Sequence, residues 1–171
     1  IMTPHAGELA QSLEWFVRLH LQGDRKLRDA ACDAGMDDER FPEDGFPSRS
    51  EIEECPLVWA RAAQKVLGGT ILLKGSTTIV AGPTKTWAHS GNSGWLATAG
   101  SGDTLTGILG AGIAAWGARA EAGEANDDDS WGRVAAGALL IQRRMSCVQP
   151  GPVPPSIAAS RIPDAIAHLM D

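Results

Sequence analysis

The stretch Ala97-Thr98-Ala99-Gly100-Ser101-Gly102-Asp103-Thr104-Leu105-Thr106-Gly107 is a turn of small residues that runs into an apolar helix. Gly100 and Gly102 carry no side chain that would keep a ligand away from the backbone. The first turn of the following helix presents unpaired N–H groups that favour an anion. This stretch therefore predicts a phosphate site, with Asp103 beside it as a candidate base.

Asp103 has two interpretations. One is a helix-capping carboxylate that satisfies the first N–H groups and does nothing else, because Asp is a common capping residue. The other is catalytic, because a carboxylate near a bound phosphoryl group can take a proton from an attacking hydroxyl. Spacing alone does not separate them, but the two preceding glycines and Gly107 one turn later suit an approaching phosphate better than a cap requires.

Length and charge limit the possible partners. The 171 residues suffice for one compact domain, or for a piece of one. With 21 acidic and 15 basic residues, the formal charge of -6 leaves no basic footprint for nucleic acid or a membrane surface. No apolar run approaches the roughly 20 residues that cross a bilayer. We therefore expect no nucleic-acid partner, no membrane partner, and a phosphate site that is local.

The cysteines indicate a reducing compartment. Cys32, Cys55 and Cys147 are odd in number, far apart in the chain and without metal-ligand spacing. They favour packing roles over a disulfide framework or a metal site. We expect a cytoplasmic protein with no resident metal.

Hydrophobic periodicity predicts an α/β architecture over a single domain, 1–171. Residues 1–5 are typical of the end of a buried strand that leaves its sheet, with Thr3 as helix cap and Pro4 at the first helical position. The predicted helices cover 3–21, 52–67, 105–116, 132–147 and 162–170, and the predicted strands cover 70–73, 77–81 and 86–89.

Several segments lack a clear period. Charge, glycine and proline dominate residues 23–50, which predicts a charged insertion or loop at the surface. Residues 118–130 are predicted to form an acidic loop, and 151–155 to be irregular. The helix after the glycine turn is expected to be buried, because its other positions are Gly and Ala.

The segment Lys74-Gly75-Ser76-Thr77-Thr78 follows a predicted strand end and offers a cation, a flexible backbone and hydroxyls. Ligands of open α/β sheets bind where strands end. The alternative is an ordinary hairpin turn with a solvated lysine, because such loops are common. Considered alone, the segment favours that alternative.

Two further motifs have equally plain alternatives. His5 and Glu8 are three residues apart at a helix start, so both could face one cleft, or they could simply be a capping His and a first-turn Glu. The segment Gly91-Asn92-Ser93-Gly94 is either a plain turn or part of a pocket lining. Trp95 is the tryptophan expected to border a pocket.

Considered together, these motifs carry a family resemblance. They are Met2-Thr3-Pro4-His5-Ala6-Gly7-Glu8, Leu72-Leu73-Lys74-Gly75-Ser76-Thr77-Thr78, and Gly91-Asn92 followed by Ala97 to Gly107. In composition and order they closely resemble the ADP/ATP-dependent NAD(P)H-hydrate dehydratase family, the carbohydrate-kinase-like branch of the ribokinase superfamily. The tail from Ala158 to Pro163 is similar to the closing segment of that family, so the resemblance covers nearly the whole chain.

The resemblance implies a fold and an activity. The fold is a ribokinase-like layered sheet with helices on both faces. The activity is that of a carbon–oxygen lyase in metabolite repair, which dehydrates the (6S) hydrate of NADH or NADPH. A nucleotide with Mg²⁺ phosphorylates the hydroxyl of the hydrate, and loss of phosphate restores the dihydropyridine. Bacterial members use ADP and release AMP, whereas eukaryotic members use ATP.

The resemblance also assigns roles by position. Asp103 would bind the hydrate and act as base toward its hydroxyl, and His5 and Asn92 would contact the hydrated dinucleotide. The expected adenine-nucleotide site comprises Lys74, Gly75, Ser76, Thr77, Thr78 and Gly102. The expected anion hole for the transferred phosphoryl group comprises Gly100, Ser101 and Gly102.

The chain also departs from the family pattern. Nothing in it matches the N-terminal portion of the family's domain, so we expect the C-terminal part of the domain, lacking the N-terminal strands. The spacing between His5 and Lys74 is longer than usual, which supports the reading of 23–50 as an insertion. A homo-oligomer and a functional partnership with an NAD(P)H-hydrate epimerase are further expectations.

Two other functions use the same features. A small-molecule kinase of the ribokinase superfamily, acting on a vitamin precursor or a sugar, has the same combination of glycine turn and Asp. A non-catalytic nucleotide-binding fragment would retain the phosphate loop without turnover.

Overall fold

The structure, a computed structural model, describes residues 1–90, 99–123, 127–148 and 155–170. The chain divides into two compact units, Ile1–Ser90 and Gly91–Asp171. The α/β class predicted from sequence is confirmed, since a sheet and packed helices form the first unit and helices form the described part of the second.

The sheet of the first unit has three antiparallel strands in the order β1-β2-β3, namely β1 (Ile71–Leu73), β2 (Thr78–Ala81) and β3 (Thr86–His89). Leu72 pairs with Val80, and Val80 pairs with Trp87. The positions predicted for the three strands are confirmed to within one residue.

A fourth extended segment lies beside β1. Met2 forms a parallel bridge with Ile71, and His5 forms one with Lys74. The amide of Leu72 donates to the Met2 carbonyl at 2.8 Å, and the amide of Lys74 donates to the Pro4 carbonyl at 2.8 Å. The prediction that residues 1–5 leave a sheet is therefore confirmed, but the segment is not the end of a buried strand, since Ile1 and Met2 are 38% and 39% exposed. Because the pairing is parallel, His5 and Lys74 lie at the same end of the sheet.

The helices of the first unit are α1 (Ala6–Leu19), α2 (Gly23–Asp33), α3 (Arg49–Glu54) and α4 (Pro56–Leu67), with a short 3₁₀ turn at Asp38–Arg40. Helix α4 packs against β1 and β2, whose residues are all buried. One continuous core joins the helices to the sheet; its largest fully buried side chains are Trp59, Leu9, Leu13, Leu27, Ile52, Ile71 and Leu73.

The predicted start of α1 at Thr3 is wrong. The cap is His5, and the helix runs from Ala6 to Leu19 rather than to residue 21. Pro4 stays extended because its carbonyl accepts from the Lys74 amide, a pairing between segments far apart in sequence.

The expectation of a surface loop over 23–50 is wrong for its first third. Helix α2 is amphipathic, with Leu27 fully buried and the charged residues facing outward. A Cβ atom at Gly23 would lie 2.7 Å from the Val17 carbonyl oxygen, so α2 begins in close contact with α1. Whether 23–50 is an insertion relative to the family stays a prediction.

The single helix predicted over 52–67 is divided at Cys55 into α3 and α4. A proline disfavours helical geometry at the residue before it, which here is Cys55. Pro56 itself occupies the first position of α4, where proline is favoured.

The described helices of the second unit are α5 (Ser101–Glu121), α6 (Ser130–Val148), α7 (Pro155–Ser160) and α8 (Ile162–Met170). The predictions of α6 and α8 are confirmed. Helix α5 extends four residues, 118–121, into the predicted acidic loop, and it is not buried, since Ile113 is 37% exposed. The prediction that 151–155 are irregular is wrong for Pro155, which occupies the first position of α7, where proline is favoured; residues 151–154 lie outside the described residues.

No helix in the described part of the chain is long and apolar enough to cross a membrane. Cys32 and Cys55 are free, half-buried thiols.

Candidate functional site

The glycine turn forms the start of α5 in the second unit. Gly100 is the cap residue, with φ of +86°, a left-handed conformation that favours glycine. No side chain caps this end within the described residues, and the first helical bond runs from the Thr104 amide to the Gly100 carbonyl at 3.1 Å. The first amides of the helix, at Ser101, Gly102 and Asp103, thus remain available to an anion. Helices α2 and α4 also lack side-chain caps, and the first turn of α2 also contains a glycine and an aspartate, Gly23 and Asp24. Helix α5 differs from both in having a glycine, Gly100, as its cap residue.

Asp103 is the third residue of α5, and its side chain is exposed. Its carboxylate has no hydrogen-bond or ion-pair partner in the described part of the chain. The interpretation as a hydrogen-bonding helix cap is therefore wrong, because the cap is Gly100. A carboxylate in the first turn still interacts favourably with the helix dipole.

Gln142 on α6 supports this turn and was not anticipated from sequence. Its buried side chain donates from Nε2 to the Ser101 carbonyl at 2.7 Å. This bond joins the first helical residue of α5 to a second helix. No local sequence signal marks Gln142, because the contact spans 41 positions.

Gly107 does not need to be glycine for packing. A Cβ atom there would have nothing within 4 Å, and the residue lies inside α5. We expect Gly107→Ala to raise the free energy of unfolding by about 0.5–1 kcal/mol, because alanine loses less backbone entropy in a helix. The matched control is Gly123→Ala, which also meets open space but has φ of +81° and should lower stability. Denaturant unfolding of the full chain measures both; a loss of stability in Gly107→Ala would contradict the open-space assignment.

In the first unit, the structure brings His5, Glu8 and Lys74 together. The His5 amide donates to Glu8 Oε2 at 2.7 Å, and the Glu8 amide donates to His5 Nδ1 at 3.1 Å, which is a capping box. Lys74 Nζ lies 3.6 Å from Glu8 Oε2, and His5 Nε2 lies 3.5 Å from Glu8 Oε1. The capping interpretation of His5 and Glu8 is therefore confirmed, and Lys74 is not simply solvated.

Glu8 is the charged centre of this group. Donation from the His5 backbone amide, and then the nearby charge of Lys74, lower the pKa of the Glu8 carboxyl below its ordinary value despite partial burial. The carboxylate is thus ionised at neutral pH. The side chains of His5 and Glu8 are both about half exposed (55% and 53%), so a ligand can reach them.

Residues 74–77 connect β1 to β2 as a hairpin. Thr78 Oγ1 donates to the Gly75 carbonyl at 3.4 Å, and a Cβ atom at Gly75 would lie 3.2 Å from the Thr77 carbonyl oxygen. A cleft of about 40 Å³ is lined by the segment 74–77 together with Ala6, Ile52 and Pro56. This volume has room for only a few water molecules, so the cleft by itself does not enclose a nucleotide.

Two larger clefts of the first unit, of about 270 and 440 Å³, share Ala30 and Lys65 and lie along α2 and α4. None of the predicted site residues lines them. Lys65, the cation that both clefts share, is paired with Asp33, so its charge is already neutralised.

Some predicted site residues lie outside the described residues. These are Asn92 with its turn 91–94, Trp95, and Ala97 and Thr98 of the opening stretch. Within the described ranges, no group of three or more His, Cys, Asp or Glu side chains is arranged to hold a metal ion.

Comparison with known proteins identifies the family. The model of the NAD(P)H-hydrate dehydratase family matches residues 47–153, which include both the 74–78 segment and the glycine turn with Asp103. The chain belongs to this family, which confirms the resemblance for the segment 72–78 and the glycine turn. The motif at 2–8 and the tail 158–163 lie outside the matched residues.

Curated relatives are consistent with this assignment. The ADP-dependent (S)-NAD(P)H-hydrate dehydratase of Xanthomonas campestris is 33% identical over 118 residues, covering 68% of this chain and 29% of the relative. Bifunctional NAD(P)H-hydrate repair enzymes of Synechocystis and Mycobacterium leprae are each 37% identical, over 100 and 103 residues; the matches cover 58% and 60% of this chain and 18% and 19% of those proteins. The chain thus spans less than a third of the length of these relatives. No solved structure matches it.

Proposed function

We propose that this chain carries out nucleotide-dependent dehydration of the (6S) hydrate of NADH or NADPH, as a carbon–oxygen lyase of metabolite repair. The observation that carries the proposal is the unpaired carboxylate of Asp103 in the first turn of α5, within the segment that matches the family. A relative named as ADP-dependent supports the use of a nucleotide.

The start of α5 fits a phosphoryl group. Gly100 leaves the approach to the helix end without a side chain, and the amides of Ser101, Gly102 and Asp103 are anion-binding donors. The buried Gln142 side chain fixes the turn at the Ser101 carbonyl, so these donors are held in place before a ligand arrives. ADP or ATP supplies the phosphoryl group that turns the hydroxyl of the hydrate into a leaving group.

Asp103 takes the proton from the hydroxyl of the hydrate. Its carboxylate is exposed and has no partner in the described part of the chain, so no existing bond must be broken before it accepts this proton. The neighbouring amides stabilise the charge that develops on the phosphoryl oxygens. Transfer of the phosphoryl group leaves AMP from ADP, or ADP from ATP. The C–O bond then breaks with release of phosphate, and loss of a proton from the neighbouring ring carbon forms the double bond that restores the dihydropyridine ring.

The remaining predicted residues bind and orient the two ligands. His5 and Asn92 contact the hydrated dinucleotide, and the adenine nucleotide is held by Lys74, Gly75, Ser76, Thr77, Thr78 and Gly102. Of these, Lys74 offers the positive charge, and Gly75 permits a ligand to approach the backbone. Mg²⁺ would be held mainly by phosphate oxygens and water, as is usual for this ion.

The wider setting of the proposal is a cytoplasmic enzyme with a single ribokinase-like domain, forming a homo-oligomer. Free thiols at Cys32 and Cys55 suit a reducing compartment. The relatives named as bifunctional repair enzymes support a functional partnership with an NAD(P)H-hydrate epimerase.

The test is restoration of reduced nicotinamide from the purified hydrate. With ADP or ATP and Mg²⁺, we expect the reduced-nicotinamide absorbance to appear together with inorganic phosphate; without nucleotide it should not. A stable phosphorylated product without phosphate release would contradict the lyase and indicate a small-molecule kinase.

One alternative has its own support. Because the chain covers only 29% of the Xanthomonas relative, it could be a nucleotide-binding portion without turnover. Calorimetry separates the two functions: binding of ADP without binding or conversion of the hydrate would favour the non-catalytic portion.

A further inference from the structure

The Glu8 carboxylate is fixed by a contact that does not involve Lys74. Its Oε2 accepts from the His5 amide at 2.7 Å, within the distance range of a charge-assisted hydrogen bond. The same pair is closed by donation from the Glu8 amide to His5 Nδ1. Glu8 therefore stays in place whether or not Lys74 is near.

Lys74 is held differently. Its backbone amide is pinned to the Pro4 carbonyl at 2.8 Å, but its ammonium lies 3.6 Å from Glu8 Oε2, longer than a charge-assisted hydrogen bond, and the side chain is 32% exposed. A partly exposed ion pair of this length contributes little free energy. The ammonium can therefore exchange partners while the backbone stays fixed.

We infer that Glu8 is a positioning residue that holds the Lys74 ammonium in the ligand-free protein and gives it up to a phosphate group of the nucleotide. The inference rests on the proposed nucleotide-binding role of Lys74. It adds that the phosphate competes with the Glu8 carboxylate for the Lys74 ammonium. Glu8 thereby weakens nucleotide binding while keeping Lys74 beside His5.

Glu8→Gln separates this role from helix capping. Glutamine at the third helical position also completes a capping box, so the bond from the His5 amide is retained while the charge is lost. We expect the dissociation constant for ADP to fall by about three- to fivefold, the range set by one exposed ion pair. A purely structural role would leave the affinity unchanged or reduce it.

The chain provides a matched control. Glu51 closes a second capping box, in which the Ser48 amide donates to Glu51 Oε2 at 2.7 Å and the Glu51 amide donates to Ser48 Oγ at 3.3 Å. Glu51 has no ion pair in the described part of the chain. Glu51→Gln should therefore leave ADP binding unchanged, and in a Lys74→Met background Glu8→Gln should also have no effect.

Calorimetric titration of the full chain and its variants with ADP tests the inference. Tighter binding in Glu8→Gln that disappears without Lys74 supports it; unchanged or weaker binding, with ADP still bound by the wild type, overturns it and leaves the proposed function intact. If the wild type binds neither ADP nor ATP, the proposed function fails, and inorganic pyrophosphate replaces the nucleotide in the same comparison. If the wild type binds neither the nucleotide nor pyrophosphate, the inference and the proposed function are both overturned.

Discussion

Replacing Asp103 by Asn is expected to abolish the proposed dehydration of the NAD(P)H hydrate while ADP remains bound. The amide cannot accept the hydroxyl proton, and loss of a positioned general base lowers rates by about 10²- to 10⁴-fold. Asparagine has nearly the same shape, and Gly100 rather than Asp103 caps α5, so the helix end should persist. The rate of formation of reduced nicotinamide and calorimetry with ADP measure the two effects.

The electrostatics of the turn make this result easy to interpret. Asp103 places a negative charge at the end of α5 where we propose that an anion binds. Removing that charge should leave ADP binding equal or tighter, because repulsion is relieved. A loss of turnover could then not be attributed to weaker nucleotide binding.

Asp164→Asn is the matched control. Asp164 is also exposed and is also the third residue of a helix, α8, in the same unit. Its replacement should change neither turnover nor ADP binding. Retained turnover in Asp103→Asn, or an equal loss in both variants, would contradict the role assigned to Asp103.

Local signals made the glycine turn predictable. Two glycines, an acidic residue and the following apolar residues indicate a helix from local sequence alone, and α5 begins at Ser101, four residues before the predicted start at residue 105. The catalytic role of Asp103 stays a prediction, because a side chain without partners is compatible with that role and does not demonstrate it.

Contacts between distant segments were not predictable. The cap of α1 is His5 rather than the predicted Thr3, because the Pro4 carbonyl pairs with the Lys74 amide. The ion pair of Lys74 with Glu8 depends on the same parallel pairing. The sequence placed His5 and Glu8 on one helix end but gave no signal that Lys74 joins them. The sequence does not predict α2 for a different reason. The charged residues on its outer face outnumber the buried Leu27 and alanines, so the apolar periodicity of the helix is weak.

Trp59→Ala is expected to lower the free energy of unfolding of the first unit by about 3–5 kcal/mol, because it removes a large, buried aromatic side chain. Trp59 lies on α4, is 1% exposed, and its ring centroid lies 6.1 Å from that of Phe41. Helix α4 packs on β1, the strand that leads into Lys74, so this loss should also weaken the group of His5, Glu8 and Lys74. Denaturant unfolding of the full chain provides the measurement, and Trp15→Ala is the control, because Trp15 is 58% exposed and should cost little.

Trp59→Phe should cost clearly less than Trp59→Ala. The Trp59 indole Nε1–H is buried without a hydrogen-bond partner in the described part of the chain. An unsatisfied buried donor costs about 1–3 kcal/mol, so phenylalanine removes that penalty while keeping an aromatic ring against Phe41. If Trp59→Phe lost as much stability as Trp59→Ala, the indole N–H would have to donate to a partner such as a buried water molecule. The core that holds α4 against the sheet would then contain a polar contact in addition to its apolar packing.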